Sequence, residues 1–216
     1  MDWCEAGHGE GILRFWESPT CFVVLGYANK ADSEVYLDRC ELDGIPVLRR
    51  CSGGGTVVQG PGCLNYTLVL PIEGALESIT ESNCFVMQRV RDAIQEIVKE
   101  PVEIRGHTDL TLNNLKFSGN AQRRRKKFLL FHGSFLLTFD LGLIDRLLKF
   151  PSREPNYREG RSHHEFLTLL KASVGQVKDR LRIHWLADRV LDPVPRAEIQ
   201  KLVEIRYSQA EWNLKW

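Results

Sequence analysis

Three successive glycines follow two arginines in the segment RRCSGGGTVV, which spans residues 49–58. Because these glycines lack a Cβ atom, they allow backbone N–H groups to approach a ligand closely, and the arginines add positive charge beside them. This combination suits a phosphate or a carboxylate. The segment matches neither the P-loop pattern nor the dinucleotide-binding fingerprint, so neither of those sites is indicated. A glycine-rich bend between strands is the structural alternative.

A single lysine, Lys116, lies in the apolar and small-residue segment LKFSGNAQ at residues 115–122. A half-buried lysine there needs an anionic partner, and its charge could stabilise the negative charge that develops during acyl or phosphoryl transfer. The alternative is a strand lysine whose flexible stem reaches water. His132, within FLLFHGSFLL, is likewise either a hydrogen-bonded core residue or a contact to a buried ligand.

The elements that must position these residues alternate along the chain. β-branched and aromatic runs predict strands over residues 12–16, 21–27, 45–49, 56–58, 64–70, 102–104, 109–112, 115–118 and 128–139. Helical spacing and capping residues predict a helix that begins at Ser33 and others over residues 82–100, 141–148, 163–170, 176–187 and 195–207. Because the strands cluster early and hairpins dominate, we expect an α+β (mixed α/β) fold with a mixed, largely antiparallel sheet and packed helices.

The composition is that of an ordinary globular domain, with 43% hydrophobic and 26% charged residues among 216. A chain of this length forms one domain by default. The formal net charge of +1 gives no global reason to expect a nucleic acid or an anionic membrane as partner. No secretory signal or membrane span is evident. Six cysteines without a C-x-x-C pair predict reduced thiols in the cytoplasm rather than disulfides or a zinc site.

Taken together, the segments resemble the lipoate–protein ligase A and octanoyltransferase family, whose members share the catalytic fold of biotin protein ligases. The resemblance covers nearly the whole chain. It depends on LRFWESPT, GIPVLRRCSGGGTVVQGPGCLNYTLVLP, DLTLNNLKFSGNAQRR, FHGSFLL and YREGRSHHEFL, which begin at residues 13, 44, 109, 131 and 157. The biotin branch carries an arginine-rich GRGRxGR loop, which is missing here, so biotin is disfavoured as the acyl group.

The resemblance implies a lipoate–protein ligase whose cofactors and substrates are ATP, Mg²⁺ and lipoate. ATP and lipoate would form lipoyl-AMP with release of pyrophosphate, and a lysine of a lipoyl carrier domain would then attack the mixed anhydride. Lys116 would be the catalytic residue, Val57 and Val58 would wall the acyl chain, and Asp109 would also contact Mg²⁺. The residues implied to bind lipoate or the adenylate are Arg50, Gly53, Gly54, Gly55, Thr56, Val57, Val58, Asn65, Asp109, Ser118, Gly119, Ala121, His132 and Gly133.

Two other functions remain open. An octanoyltransferase works through an acyl-enzyme on a cysteine, but residues 105–108 and 149–150, where the branches of the family carry that cysteine, contain none. Cys51 and Cys63 flank the glycines and are the remaining candidates, so we favour adenylate chemistry. The other alternative is a non-catalytic lipoyl- or carrier-binding module, for which the charge of Lys116 has little use. The choice between lipoate and octanoate is left open.

The resemblance also concerns partners and the ends of the chain. We expect one catalytic domain over residues 1–216 without the C-terminal accessory domain of many family ligases, so a separate accessory subunit for adenylation is expected. Residues 2–7 look like the tail of a longer N-terminal helix. RRRKK at residues 123–127 is interpreted as a solvated hairpin turn or, as the functional alternative, as a docking site for an acidic lipoyl carrier domain. Nucleic acid is not indicated as a partner.

Overall fold

The computed structural model describes residues 1–9 and 11–215 of the chain. Its strands are β1 (Ile12–Trp16), β2 (Phe22–Leu25), β3 (Val47–Arg49), β4 (Val57–Gln59), β5 (Cys63–Pro71), β6 (Val102–Arg105), β7 (Asp109–Leu112), β8 (Leu115–Arg124) and β9 (Phe128–Leu136). Its helices are α1 (Asp2–Glu5), α2 (Ala31–Glu34), α3 (Leu37–Leu42), α4 (Ile79–Gln95), α5 (Gly142–Leu147), α6 (His163–Phe166), α7 (Val174–His184), α8 (Arg196–Leu202) and α9 (Ala210–Asn213). Short 3₁₀ turns occupy Gly74–Leu76 and Asn156–Arg158, and a π-helical turn over Val203–Tyr207 extends α8.

Two sheets organise the fold. The larger has six strands in the order β1-β5-β9-β8-β7-β6, and every neighbouring pair is antiparallel. The smaller has the order β3-β2-β4, with β2 and β3 parallel and β2 and β4 antiparallel. The predicted α+β class with a mixed, largely antiparallel sheet is therefore confirmed.

Helices α4 and α7 lie against one face of the large sheet, where the main hydrophobic core forms. This core contains fully buried aromatic side chains of three adjacent strands, namely Tyr66, Phe117, Phe131 and Phe135. Helix α4 begins at Ser78, whose side chain accepts a hydrogen bond from the Glu81 N–H at 3.0 Å, which satisfies one of the free donors at a helix start. A second core joins the small sheet to α3 and α5.

Several elements differ from the sequence-based expectation because tertiary pairing overrides local preference. The helix predicted to start at Ser33 is two short helices, α2 and α3, since Val35 between them pairs with Leu148 in an isolated bridge. Leu42, the last residue of α3, is 84% exposed. Strand β8 was predicted to end at Ser118, but pairing with β9 extends it to Arg124.

The extended β8 also changes the interpretation of RRRKK. Arg123 and Arg124 belong to the strand, and only residues 125–127 form the exposed turn to β9. Helix α1 packs beside this turn, where Glu5 Oε1 accepts hydrogen bonds from the backbone N–H groups of Lys127 and Phe128 at 2.9 and 2.8 Å. No helix in the described part of the chain is both long and apolar enough to cross a membrane.

Candidate active site

The segment of residues 50–56, here called the glycine loop, joins β3 to β4 and crosses the face of the large sheet opposite α4. A Cβ atom built on Gly54 would lie 3.6 Å from Cβ of Ala121 on β8. Ser52 Oγ lies 2.6 Å from Nε2 of His132 on β9. The loop therefore lies on the centre of the sheet and is held there by a partly buried hydrogen bond.

Arg50 shapes the glycine loop from within. Its guanidinium donates to the carbonyl oxygens of Gly53 at 2.6 Å and Gly55 at 2.7 Å, and to Val24 O at 3.2 Å. Burial lowers its pKa to about 10, so the group remains charged at neutral pH. Within the described residues, the N–H groups of Gly53, Gly54 and Gly55 have no acceptor. Backbone donors without acceptors, close to a fixed positive charge, form a surface suited to an anion.

A β-bulge decides which way Lys116 faces. Strand β7 pairs Leu110 with Ser118 but the next residue, Thr111, with Lys116, so Phe117 is the extra residue of β8. Phe117 is fully buried in the main core beneath α4. Side chains alternate between the two faces of a strand, and one inserted residue reverses that alternation. The bulge therefore turns Lys116 to the face of the glycine loop, together with Gly119.

The Lys116 ammonium is held by a carboxylate on the neighbouring strand. Nζ lies 2.8 Å from Oδ1 of Asp109, and these side chains are 27% and 14% exposed. The other carboxylate oxygen, Oδ2, accepts a hydrogen bond from the Tyr157 hydroxyl at 2.8 Å. Burial and the adjacent carboxylate raise the pKa of Tyr157, so its hydroxyl stays protonated and donates. Asp109 thus lies between a cation and a neutral donor.

His132 is neutral in this site. Burial, with a further contribution from the charge of Arg50, lowers its pKa to about 4. At neutral pH, the imidazole can therefore share a hydrogen bond with Ser52 as a neutral ring, either as donor or as acceptor. Arg123 adds another contact to the loop, since Nη1 donates to Cys51 O at 2.9 Å. The large sheet thus fixes the loop through both β8 and β9.

Beside His132, three polar side chains form a closed ring of hydrogen bonds. Gln59 Nε2 donates to Ser134 Oγ at 2.7 Å, Ser134 Oγ donates to Asn65 Oδ1 at 2.5 Å, and Asn65 Nδ2 donates to Gln59 Oε1 at 2.8 Å. Gln59 and Asn65 are buried. Because every member both donates and accepts, the ring fixes the amide orientations and joins β4 to β5 and β9.

The structure brings most of the predicted site residues together on the face of the glycine loop. Gly119 and Ala121 leave this face open, and Thr56 Oγ1 is buried without a hydrogen-bond partner in the described part of the chain. The residues that share this face or the loop are Arg50, Gly53, Gly54, Gly55, Thr56, Asn65, Asp109, Lys116, Gly119, Ala121 and His132.

Three predicted site residues lie elsewhere. Ser118 is 1% exposed and lies on the helix-covered face, where it accepts a hydrogen bond from the Asn120 side chain. Gly133 faces the same side, since a Cβ atom there would collide with Asn120 Oδ1. Val58 is 3% exposed in the core of the small sheet. Because neighbouring strand residues point in opposite directions, only Val57 of the two valines can face an acyl chain.

Other residues at the site were not expected from the sequence. Ser52, Gln59, Ser134 and Arg123 lie in segments that carry the family resemblance, but nothing in their spacing indicates their partners. Tyr157 lies in the motif YREGRSHHEFL, 48 residues from Asp109, so only the tertiary fold places its hydroxyl there.

The donor set around Asp109 limits what metal the site can hold. Among the residues that the structure describes, no group of three His, Cys, Asp or Glu side chains is arranged for a metal ion. Mg²⁺ at nucleotide sites often takes one or two carboxylates and completes its coordination with phosphate oxygens and water. A single carboxylate beside free backbone donors fits a Mg²⁺ ion that arrives with a nucleotide, with Asp109 as the protein ligand.

Comparison with known proteins identifies the family of this chain. The family description named lipoyl protein ligase A/B catalytic domain matches residues 1–192. The chain belongs to this family. Within the family, the chain is 25% identical to lipoate-protein ligase A subunit 1 of Thermoplasma acidophilum over 94% of its length and 84% of that relative. It is also 24% identical to octanoyltransferase LipM of Geobacillus kaustophilus, over 100% of this chain and 90% of the relative.

Other family relatives are longer, and solved structures share the fold. A putative lipoate-protein ligase A of Aeropyrum pernix is 30% identical over 66% of this chain, which spans about half (52%) of that relative. A structure of a bi-partite lipoate protein ligase and its E2 lipoyl domain from T. acidophilum superposes with a TM-score of 0.80 at 25% identity, covering 95% of this chain and 84% of that one. A lipoate-protein ligase A bound with ATP gives 0.76 at 25% identity, with 95% and 86% covered.

Proposed function

We propose that this family member is a lipoate–protein ligase, which activates lipoate with ATP to lipoyl-AMP and transfers the lipoyl group to a lysine of a carrier domain. One observation carries the proposal: Lys116 and the glycine loop, whose N–H groups are unpaired in the described residues, lie on the same face of the large sheet. The loop crosses Ala121, and Lys116 packs on Gly119, two residues away along β8. That separation is about 7 Å, which suits two neighbouring anionic groups of one bound molecule.

These residues can assist both steps of the reaction. In the first step, the lipoate carboxylate attacks the α-phosphorus of ATP, a P–O bond forms and pyrophosphate leaves. The Lys116 charge and the glycine N–H groups would stabilise the negative charge on the α-phosphate oxygens. In the second step, the carrier amine attacks the acyl carbon and AMP leaves, and Lys116 would bind the carbonyl oxygen as it becomes an oxyanion.

Asp109 would hold Lys116 before the substrates arrive. Its carboxylate neutralises the ammonium and orients it, while Tyr157 satisfies the second oxygen. When a nucleotide brings Mg²⁺, the ion would supply Lewis-acid stabilisation of the phosphates, with Asp109 as its protein ligand. The acyl chain would lie against Val57, whose side chain is 37% exposed at the edge of the small sheet.

The second candidate is an octanoyl or lipoyl transferase with a cysteine acyl-enzyme, which is favoured by the similarity to LipM over the whole chain. Cys63 is a poor nucleophile, because burial raises its pKa to about 12. Cys51 is the cysteine within the glycine loop, where it is a partly buried free thiol. A transferase would therefore use Cys51. A non-catalytic lipoyl- or carrier-binding module is the third candidate.

Two partners follow from the proposed function. The first is a lipoyl carrier domain with an acidic surface. The second is a separate accessory chain for adenylation, which is supported by the similarity to subunit 1 of a bi-partite ligase over 94% of this chain. A nucleic acid is not proposed as a partner, and the cytoplasmic location stays a prediction.

The test is pyrophosphate release by the purified chain with ATP, Mg²⁺ and either lipoate or octanoate. Lys116→Met keeps the apolar stem and removes the charge, and we expect it to lower the rate by about 10²–10³-fold. Lys126→Met, in the exposed turn, is the matched control and should keep the wild-type rate. The preferred acid would identify the substrate.

A parallel assay with octanoyl carrier separates the alternatives. An octanoyl adduct on the intact protein that Cys51→Ser abolishes, without pyrophosphate release, would replace the ligase by the transferase. If neither activity is seen, the assay is repeated with the candidate accessory chain. If there is still no turnover but the chain binds lipoate, the non-catalytic binding module is the remaining candidate.

A further inference from the structure

Arg49, the residue before the glycine loop, is a buried arginine without a carboxylate partner in the described residues. Its side chain is 2% exposed, and burial lowers its pKa. The guanidinium instead donates to six backbone carbonyl oxygens, at 2.7–3.2 Å, in the two segments 26–29 and 212–215. The charge is therefore stabilised by peptide dipoles that two distant parts of the chain must supply.

The main chain of Arg49 is held by the same C-terminal segment. Its N–H donates to Asn213 Oδ1 at 2.9 Å, and its carbonyl accepts from Trp212 Nε1 at 2.9 Å. Both side chains belong to α9, and the Trp212 ring also packs 5.9 Å from the Tyr27 ring. Side chains of α9 thus supply the main-chain hydrogen bonds that a neighbouring strand would otherwise give to Arg49 of β3.

The segment of residues 26–29 connects Arg49 to the glycine loop. The Tyr27 N–H donates to Ser52 O at 2.8 Å, and a Cβ atom on Gly26 would collide with Gly54 O. Gly26 therefore packs against Gly54 of the glycine loop, and its carbonyl oxygen accepts a hydrogen bond from Arg49. A displacement of Arg49 or of α9 would move the backbone of the glycine loop.

We infer that Arg49 and the C-terminal residues 212–215 position the glycine loop for ligand binding. The family match ends at residue 192, so the family description does not include this segment. Neither Arg49 nor α9 contacts Lys116, and their effect is exerted through segment 26–29 and the loop backbone. The inference rests on the proposed function only in the part of its test that measures the KM for lipoate.

The experiment uses the full chain with Asn213→Ala, which removes the acceptor for the Arg49 N–H and also the donor to Tyr207 O. Amide exchange is followed by NMR at Tyr27 and Arg50, which donate to Ser52 O and Leu25 O. We expect both amides to exchange at least about fivefold faster, and the KM for lipoate in pyrophosphate release to rise by a similar factor, with kcat within about twofold. Asn213→Asp keeps the acceptor oxygen and should restore both values towards wild type.

Two further variants keep the test decisive. Trp212→Phe removes the indole N–H donor and keeps a smaller aromatic ring at the same position, so it serves if Asn213→Ala does not fold. Glu211→Ala, at an exposed position of the same helix, should behave as wild type. Faster exchange confined to residues 207–215, with Tyr27, Arg50 and the KM unchanged, would overturn the inference. Because the exchange measurement needs no ligand, it decides the point even if pyrophosphate release fails.

Discussion

Gly119 and Lys116 lie so close on the site face of β8 that a Cβ atom on Gly119 would stand 2.8 Å from Cε and 2.9 Å from Nζ of the lysine. The absence of a side chain at Gly119 is therefore what allows the ammonium to lie flat on the sheet and reach Asp109. The nearest atoms belong to the flexible end of the lysine rather than to the backbone, so an added methyl group would displace the ammonium and leave the strand intact.

Gly119→Ala should therefore impair activity without unfolding the protein. We expect pyrophosphate release to fall by about 10–100-fold, because a misplacement of about 1 Å at a reacting group can cost that much. The free energy of unfolding should change by about 1 kcal/mol or less. Gly175→Ala in α7, where the new Cβ would meet only Ser173 Oγ at 3.9 Å, is the control: it should keep the wild-type rate, and its free energy of unfolding should not fall, because alanine favours a helix over glycine. An active Gly119→Ala enzyme would mean that Lys116 does not act from this position.

Tyr157→Phe tests the second hydrogen bond to Asp109. It removes the donor to Oδ2 and keeps the ring, which packs 5.1 Å from Phe166. Loss of one buried hydrogen bond costs about 1 kcal/mol of unfolding free energy, and a similar loss in the transition state lowers the rate about fivefold. Denaturant unfolding and pyrophosphate release measure the two effects, with Tyr36→Phe as control. A lower free energy of unfolding with an unchanged rate of pyrophosphate release would show that Tyr157 stabilises the fold and does not assist the reaction.

His132 should make the protein less stable in mild acid. Its pKa is lowered to about 4 in the folded protein, against about 6.5 when unfolded, so only the unfolded chain gains a proton as the pH falls between these values. The contribution of neutral His132 to the free energy of unfolding is thus fully present above pH 6.5 and is lost as the pH falls to 4. Between pH 7.5 and pH 5, this loss amounts to about 2 kcal/mol.

The variant His132→Gln, which cannot titrate, should lack that part of the pH dependence. Urea unfolding at pH 7.5 and pH 5 measures it. Burial also lowers the pKa of His163, so some acid dependence remains in both proteins and the comparison is between slopes. His164→Gln, at an exposed position, should retain the wild-type slope. Equal slopes for His132→Gln and wild type would show that His132 titrates normally in the folded state.

The exposed turn of residues 125–127 tests the docking of a carrier domain. Arg125 is paired with Asp2 at 2.9 Å, which leaves Lys126 and Lys127 as the charges to reverse. The double substitution Lys126→Glu and Lys127→Glu should slow lipoyl transfer to an acidic carrier several-fold and leave pyrophosphate release unchanged, with the difference shrinking at high salt. Lys99→Glu with Lys171→Glu gives the same charge change on another surface. An equal loss of transfer in both double variants would exclude specific docking at the turn.

The sequence alone determined the features that depend on local residue type. The glycine loop was predicted from three glycines beside two arginines, and the sheet class from the runs of strand-forming residues, because backbone freedom, charge and strand propensity are local properties. The family was predicted from the resemblance of the motifs, in their order, to those of known members. Asn113 and Asn114 form the turn between β7 and β8 with φ values of 50° and 62°, a conformation that asparagine adopts more readily than most residues. Most strand positions follow from the same local signals.

Only the tertiary structure decided how these parts face one another. The bulge at Phe117 turns Lys116 to the site, and no local pattern predicts it, since it depends on the register between β7 and β8. The same holds for Ser118 and Val58, which strand alternation and sheet packing direct away from the loop. Arg49 and Asn213 are 164 residues apart, and their contact arises because a buried guanidinium must find carbonyl acceptors wherever the fold supplies them.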